Sequence, residues 1–505
     1  MRIAPILSQF AHQLGVVAVL AGLCLGPSRA LAAEPNRSAL PDVFPADRLL
    51  WELDLGSHQY TVPLVDAGQI ILGVNDMELD HPAAESTGGG ILMCRKAATG
   101  ELVWQLPIPR NMEGNIPPSH FNHWKCGVCS RPVVEGDRLY LVSPRGDVLC
   151  VDRNGQADGN DGPYLDDARY MGVPAGSAYQ LTKTDGDIVW RFDLIKELGV
   201  VPHDVCGSSP TQWGDCVYFC TSNGQDHRHE KMVNPKAPSL IAVEKATGRL
   251  VAVEDEGISA RTFHGQWSSP VAAEFGGRPT IVFGGGDGFL YGFEPADASS
   301  AGKTPVKLKC IWRRDCCPAD YRVRDGVPIP YSGWKKKSPE GPSEIISTPA
   351  VDHGRIYVAI GQSPVHGPGR GALSCVDGAT GEMVWQNCQV SRTLSEAAIC
   401  DGLLYLPDYS GILHCIDAGS GEIVWQHDLE GGVWCASAMV AGGRVYVGTE
   451  RMAYWVLRAG REKEVLGKGR TQSMAITTVV AEDTFFLPTQ RRIFAVKMGK
   501  AQPGF

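Results

Sequence analysis

Residues 377–385 read Asp377-Gly378-Ala379-Thr380-Gly381-Glu382-Met383-Val384-Trp385, and the phrase returns along the chain. Thr99-Gly100-Glu101-Leu102-Val103-Trp104, Asp185-Gly186-Asp187-Ile188-Val189-Trp190 and Ser420-Gly421-Glu422-Ile423-Val424-Trp425 are further copies; 247–251 is one without its Trp. Self-similarity of this kind means one supersecondary unit used many times. Residues 395–425 show the whole unit. Four β-rich runs (397–399, 403–406, 412–416 and 422–425) are divided by turns at 401–402, 408–411 and 417–421. Short apolar runs between Gly/Asp/Ser turns read as consecutive antiparallel strands, and four of them in about forty residues make a propeller blade.

Working outward, Ile71, Tyr140, Tyr218, Tyr357, Tyr405, Tyr446 and Phe486 share one column, and Trp104, Trp190, Trp312, Trp385 and Trp425 another. Blades then begin near residues 62, 130, 208, 268, 347, 395, 436 and 474. The last has three strands, ending at 493–496, while the stretch 49–55 at the other end carries the same Trp, Trp51. The sequence therefore predicts an all-β, eight-bladed β-propeller of four-stranded antiparallel blades, its ring closed by the N-terminal strand pairing into the last blade. Closure removes sheet edges that would recruit other chains. The expected organisation is a signal peptide over 1–32, a linker over 33–48, a single propeller over 49–498 and a tail over 499–505.

The Asp-x-x-Thr-Gly-x-x-x-Trp pattern resembles the tryptophan-docking repeat of PQQ-like propellers, a superfamily that includes quinoprotein alcohol dehydrogenases and BamB-type assembly factors. The resemblance spans nearly the whole propeller. It speaks for fold and leaves activity open, because the repeat is a packing motif.

The N-terminus reads as a secretory signal: basic Arg2, an apolar run at 14–25 and Ala30-Leu31-Ala32 as a cleavage site. The run is short for a membrane span, and Leu23 before Cys24 does not suit lipidation. The expectation is an exported, soluble, non-lipidated protein, periplasmic or secreted, without a transmembrane segment. A formal net charge of −9 argues against a nucleic-acid partner.

Sixteen cysteines in an exported chain invite disulfides. Cys94, Cys150, Cys375 and Cys415, however, share a third-strand column with Ala242, Gly292 and Ala495, a tight core position where Cys acts as a small hydrophobe. Cys220 falls in a similar column. Cys126-Gly127-Val128-Cys129 lacks the His that covalent haem attachment needs and reads as a local disulfide or two free thiols. Cys316-Cys317 is a vicinal pair after blade four.

Strands alternate in direction, so loops alternate between faces. Insertions at 73–90, 105–129, 191–207, 222–238, 313–346 and 361–371 all fall on one face; 153–180 and 295–308 fall on the other. Elaborated loops on a rigid scaffold are where binding residues concentrate. His58, His81, His120, His123, His203, His227, His229, His264 and His366 map to the elaborated face. The densest group there is Asp226-His227-Arg228-His229-Glu230, followed by His120-Phe121-Asn122-His123. Histidine is the commonest metal ligand, so Asp226, His227, His229, His120 and His123 are the candidate metal ligands. Trp124, Trp267 and Trp434 precede first strands at the channel mouth, where a planar ring could stack. Arg261, and Arg313, Arg314, Arg322 and Arg324 near the exit of blade four, could hold carboxylates.

The family resemblance implies PQQ with Ca²⁺ held by a Glu, an Asn and an Asp. Asn223 is the residue that matches, which with Trp267, Trp434, Trp124 and Arg261 forms the candidate cofactor set; no residue matches the Glu or the catalytic base. The leading functional reading is a binding or scaffold propeller that takes a small molecule or protein on its loop-rich face. Two others stand beside it: a PQQ-dependent dehydrogenase of an alcohol or sugar, and a metal-assisted enzyme acting on carbohydrate. On the opposite face, 152–162 spaces oxygen ligands like a calcium loop, but Ala157 and Pro163 break the EF-hand pattern.

Overall fold

The computed structural model of the chain describes residues 43–44, 46–111, 124–299, 302, 304–333, 335–367, 369–434 and 436–498. His120 and His123 lie outside the described residues, as does the segment 1–32. Eight sheets of consecutive antiparallel strands follow one another along the chain. Blade one runs from Leu64–Asp66 to Leu102–Ile108, and blade seven from Met439–Ala441 to Val465–Arg470. Blade eight takes its outer strand from the start of the propeller: Leu49–Asp54 pairs antiparallel with Arg492–Lys497, Trp51 opposite Ala495. Blade three gains a fifth strand, Val306–Lys307, lent in parallel by the insertion of blade four.

The repeated phrase works as a lock between neighbours. The indole N–H of each outer-strand Trp donates to a backbone carbonyl of the next blade: Trp51 to Ala97 (2.9 Å), Trp104 to Arg153 (2.7 Å), Trp190 to Lys245 (2.8 Å), Trp312 to Gly378 (3.1 Å), Trp385 to Ala418 (3.0 Å) and Trp425 to Gly460 (2.9 Å). In four of these locks the ring lies on the glycine of that blade's Thr-Gly or Ser-Gly turn: Trp51 on Gly100, Trp190 on Gly248, Trp312 on Gly381 and Trp385 on Gly421. Gly381, at φ 72°, would put a β-carbon 2.6 Å from Trp312, and Gly421 would put one 2.5 Å from Trp385. Glycine is required there twice over, for the left-handed backbone and for the close approach. Burying each indole contributes about 2–3 kcal/mol.

A second set of contacts ties the blades together around the axis. The backbone N–H of Arg131 donates to Ser209 Oγ (3.0 Å), that of Ser209 to Ser269 Oγ (2.9 Å), that of Glu396 to Ser437 Oγ (2.9 Å) and that of Ser437 to Thr477 Oγ1 (2.7 Å). Short innermost strands leave these groups without ladder partners, and the hydroxyl of the next blade supplies one.

The cysteine column is core. Cys94, Cys150, Cys375, Cys415 and Cys220 are buried free thiols, and burial pushes Cys94, Cys220 and Cys415 up to about 12 and Cys375 to about 11. Cys126, Cys316 and Cys317 are free thiols as well.

Candidate metal centre

Blade order brings together histidines that are far apart in sequence. His203 lies in the connection from blade two to blade three, where Pro202 bridges to Asn223 and the His203 N–H donates to Ser222 O (3.0 Å). His264 occupies the corresponding connection from blade three to four. Gly224, between these segments, has no room for a side chain. His229 projects from a turn in the blade-three loop. The Asp226 carboxylate accepts from the Glu230 N–H (2.9 Å), and the Asp226 carbonyl accepts from the His229 N–H (2.9 Å).

The rings of His203 and His264 are 4.2 Å apart, those of His203 and His229 4.7 Å, and those of His229 and His264 4.7 Å, the last pair stacked. One nitrogen from each of the three lies within 4.8 Å of those of the other two. His366, from the blade-five loop, brings its ring to 4.6 Å from His264. Trp267 walls the group at 5.1 Å from His264, its indole N–H donating to Val205 O (3.1 Å).

The surrounding groups orient the imidazoles. The Nδ1–H of His203 donates to Gln225 O (2.8 Å), which presents Nε2 as its lone pair. Glu344 Oε1 stands 3.8 Å from His264 Nδ1 and accepts from the Tyr331 hydroxyl (3.0 Å). That hydroxyl also meets His366 Nδ1 (3.0 Å), and Phe263 stacks on the Tyr331 ring at 5.2 Å. Behind Glu344 lies the fully buried Arg392, which donates to Gly341 O (2.9 Å).

Burial sets the charge state. It lowers His203 to about 4 and His366 to about 3, the latter helped by the neighbouring His229 and Lys337, and it lowers His229. Burial also pushes Glu344 up to about 8. The titrating imidazoles are therefore neutral near pH 7, the form that binds metal. Ligands of a tetrahedral ion at about 2.0–2.1 Å stand about 3.4 Å apart, so side-chain rotations of ångström scale close the set. Three non-glycine residues in these loops, Asp204, Ser222 and His229, have φ of 56–59°. Each costs about 1–3 kcal/mol, which the surrounding packing must sustain.

Of the metal ligands expected from sequence, His229 joins this group. His227 is exposed on the same turn. Asp226 forms the turn: against burial that would raise it, the N–H groups of Glu230, Lys231 and Arg228 hold it below the usual range. His203, His264 and His366 map to the elaborated face but stand alone in sequence, with no neighbouring histidine to mark them. One signal was available: His203 and His264 stand five and four residues before Ser208 and Ser268, equivalent positions of adjacent blades. Glu344, Tyr331 and Arg392 carried no sequence signal. His81, on the outer edge of blade one, donates from Nε2 to Asp185 (2.9 Å) and accepts the Ala84 N–H at Nδ1 (2.9 Å), a structural role.

The cofactor candidates do not converge. Trp267 faces the histidines, whereas Trp434 packs on Tyr60 (6.1 Å) and Trp124 is 55 % exposed. Asn223 donates to Asn234 O (2.9 Å) and Ser259 Oγ (3.0 Å) and accepts from the Val201 N–H (3.0 Å). Arg261 donates to Asp287 (3.1 Å), Glu256 O (2.7 Å) and Tyr291 (2.7 Å). Arg322 is paired with Asp315 and Arg324 with Glu340. With Asn223 and Arg261 committed to the protein, and imidazoles against Trp267, these residues do not fit a tricarboxylate quinone with its Ca²⁺.

A family model described as outer membrane protein assembly factor BamB matches residues 369–497, and no curated protein matches the chain. Among solved structures, BamB from Moraxella catarrhalis superposes with a TM-score of 0.53 at 12% identity, covering 90% of this chain and 99% of that one. A europium-containing methanol dehydrogenase gives 0.52 at 15% identity, covering 87% and 84%. A quinohaemoprotein alcohol dehydrogenase from Pseudomonas putida HK5 gives 0.52 at 11% identity, covering 90% and 77%. At these identities the likeness is one of fold.

Proposed function

We propose that this PQQ-like eight-bladed propeller is a metal-binding protein, with one first-row transition-metal ion held by His203, His229 and His264 on its loop-rich face. The observation that carries this reading is the convergence of three imidazole nitrogens within 4.8 Å of one another. An all-imidazole set suits Zn²⁺, Cu²⁺, Ni²⁺ or Fe²⁺ and disfavours Ca²⁺ and Mg²⁺. Three protein ligands would leave a position for an exogenous donor, where the ion would supply a Lewis acid. The chain's own residues do the orienting. Gln225 fixes the His203 tautomer, Glu344 faces His264, Tyr331 holds His366, and Trp267 excludes water from one side.

The segment 1–32 favours export, so the ion would be acquired outside the cytoplasm, and the face would present it to a small molecule or a partner side chain. A second reading, docking of a protein partner on the same face, is favoured by exposed apolar residues on its loops: Trp124, Val327 (65 % exposed) and Val365. Metal analysis of the purified mature chain, followed by calorimetric titration with Zn²⁺ and Cu²⁺, tests the metal reading. The expected result is about one ion per chain, lost in a His203→Ala/His264→Ala variant whose circular dichroism is unchanged. A chain that carries no metal and takes up neither ion at micromolar concentration would sink the reading and leave the docking one.

A further inference from the structure

Blade five stitches three segments of the loop-rich face together beside the histidines. Glu344, in the connection from blade four, bridges antiparallel to Gly361, whose N–H donates to Glu344 O (2.9 Å). Gly361 and Gln362 open the loop that carries His366. Arg392, in the connection to blade six, follows Ser391, which bridges to Arg370 at the far end of that loop. The crossings are tight: a β-carbon on Gly361 would lie 2.0 Å from Thr393 O, and one on Gly369 2.2 Å from Arg392 Nη1.

The polar side chains packed there are not satisfied. Glu344, Gln362, His366 and Arg392 are each at most 2 % exposed. Glu344 Oε2, both amide atoms of Gln362, His366 Nε2, and Nε and Nη1 of Arg392 have no hydrogen-bond partner among the described residues. Native interiors rarely leave such groups unpaired. Water could supply hydrogen bonds here, but it would not neutralise the guanidinium. Arg392 Nη2 donates to Gly341 O (2.9 Å). The charges of Arg392 and Glu344 act on each other, yet among the described residues no ion pair joins them. A buried cation without a partner is strongly disfavoured, and an anion beside it removes the cost.

Donors and acceptors are sorted. The Tyr331 hydroxyl gives its one proton to Glu344 Oε1 and so accepts the Nδ1–H of His366, which leaves His366 Nε2 as a lone pair. Arg392 offers only donors. A ligand that answers both carries an anionic acceptor at one end and a hydroxyl donor at the other. One charge suffices, because a multiply charged anion would also face the Glu344 carboxyl.

We propose that these groups receive the exogenous ligand of the metal centre, and that it is a small hydroxymonocarboxylate. Its carboxylate would lie on Arg392 and Gln362, and its hydroxyl would meet His366 Nε2 and the ion. The His366 ring stands 4.6 Å from that of His264, so the two halves adjoin. The assignment rests on the ion being held by His203, His229 and His264.

Calorimetric titration of the full mature chain, metal-free and Zn²⁺-loaded, with glycolate, acetate and phosphate tests it. The expected result is one glycolate per Zn²⁺-loaded chain, bound about tenfold or more tighter than acetate or phosphate, and than glycolate on the metal-free chain. Arg392→Gln should weaken glycolate by about tenfold or more and leave the Zn²⁺ content unchanged. A chain that takes up Zn²⁺ and binds no glycolate would overturn this proposal alone, whereas a chain that takes up no Zn²⁺ would bring down the metal reading with it. Acetate or phosphate binding as tightly as glycolate would overturn the ligand class, and undiminished affinity in Arg392→Gln would overturn the role of the cation. Should that variant not fold, Gln362→Met, which keeps the side-chain length and removes the amide, should weaken glycolate by about fivefold or more; unchanged affinity there would overturn the proposal too.

Discussion

Gly224 stands between His203 and His264, where a β-carbon would lie 2.4 Å from the Cβ of one and 2.8 Å from the carbonyl oxygen of the other. The spacing of the imidazoles therefore depends on an atom that is missing. Gly224→Ala should force the two segments apart at a cost of about 1–3 kcal/mol and weaken metal binding at least tenfold. Calorimetric titration beside a denaturation curve checks both numbers, and undiminished affinity would show that the segments can give way.

The turn at Asp226 separates two histidines that sequence treats alike. His227→Ala, on the exposed side, should leave metal content unchanged, whereas His229→Ala should reduce it severely. Asp226→Ala should act through the turn, by loosening the approach of His229. Elemental analysis of the three variants distinguishes these outcomes, and equal losses from His227→Ala and His229→Ala would contradict the placement of the ring.

The locking role of the repeat predicts a contrast between tryptophans. Trp190→Ala should destabilise the propeller by about 3–5 kcal/mol, since it empties a buried slot and strands the Lys245 carbonyl. Trp124→Ala, at an exposed position, should change stability by about 0.5 kcal/mol or less. Urea denaturation of the two variants measures the difference.

Glu396 and Arg131 belong to the hydroxyl-bridged ring around the axis. Protein crowded around the axis pushes the Glu396 carboxyl up to about 7, with Arg131 pulling the other way, although the residue itself is exposed to solvent. In the unfolded chain this carboxyl ionises near pH 4.5, so between that point and about 7 the native state holds a proton that the unfolded state has lost. Its contribution to stability is thus complete below about pH 4.5 and is lost as pH rises through about 7. Glu396→Gln should remove that decline. Denaturation midpoints at pH 5 and pH 7.5 should fall with rising pH in the wild-type chain more than in the variant.

Blade number, ring closure and the structural tryptophans were legible because each is written several times, and a column can be read against its own repeats. Cys375 was placed correctly in the core by the Ala and Gly that replace it elsewhere. The histidine centre is written once, in loops without periodicity. Adjacent histidines in sequence drew attention to His227, whereas adjacency in space comes from neighbouring blades and selects His203 and His264. Glu344 and Tyr331 belong to the chemistry only because the long connection 313–346 brings them beside His264 and His366, and no spacing rule anticipates that.

The pairing of Leu49–Asp54 with Arg492–Lys497 places the two ends of the propeller side by side in a single sheet. The two ends could be joined by a short linker and new ones opened at a tight turn, such as Asp401-Gly402, to give a circular permutant with every interface intact. In the natural chain the seam lies between blades seven and one, on the far side of the ring from the loops that carry the histidines. Fraying of the termini would therefore open the ring where it disturbs them least.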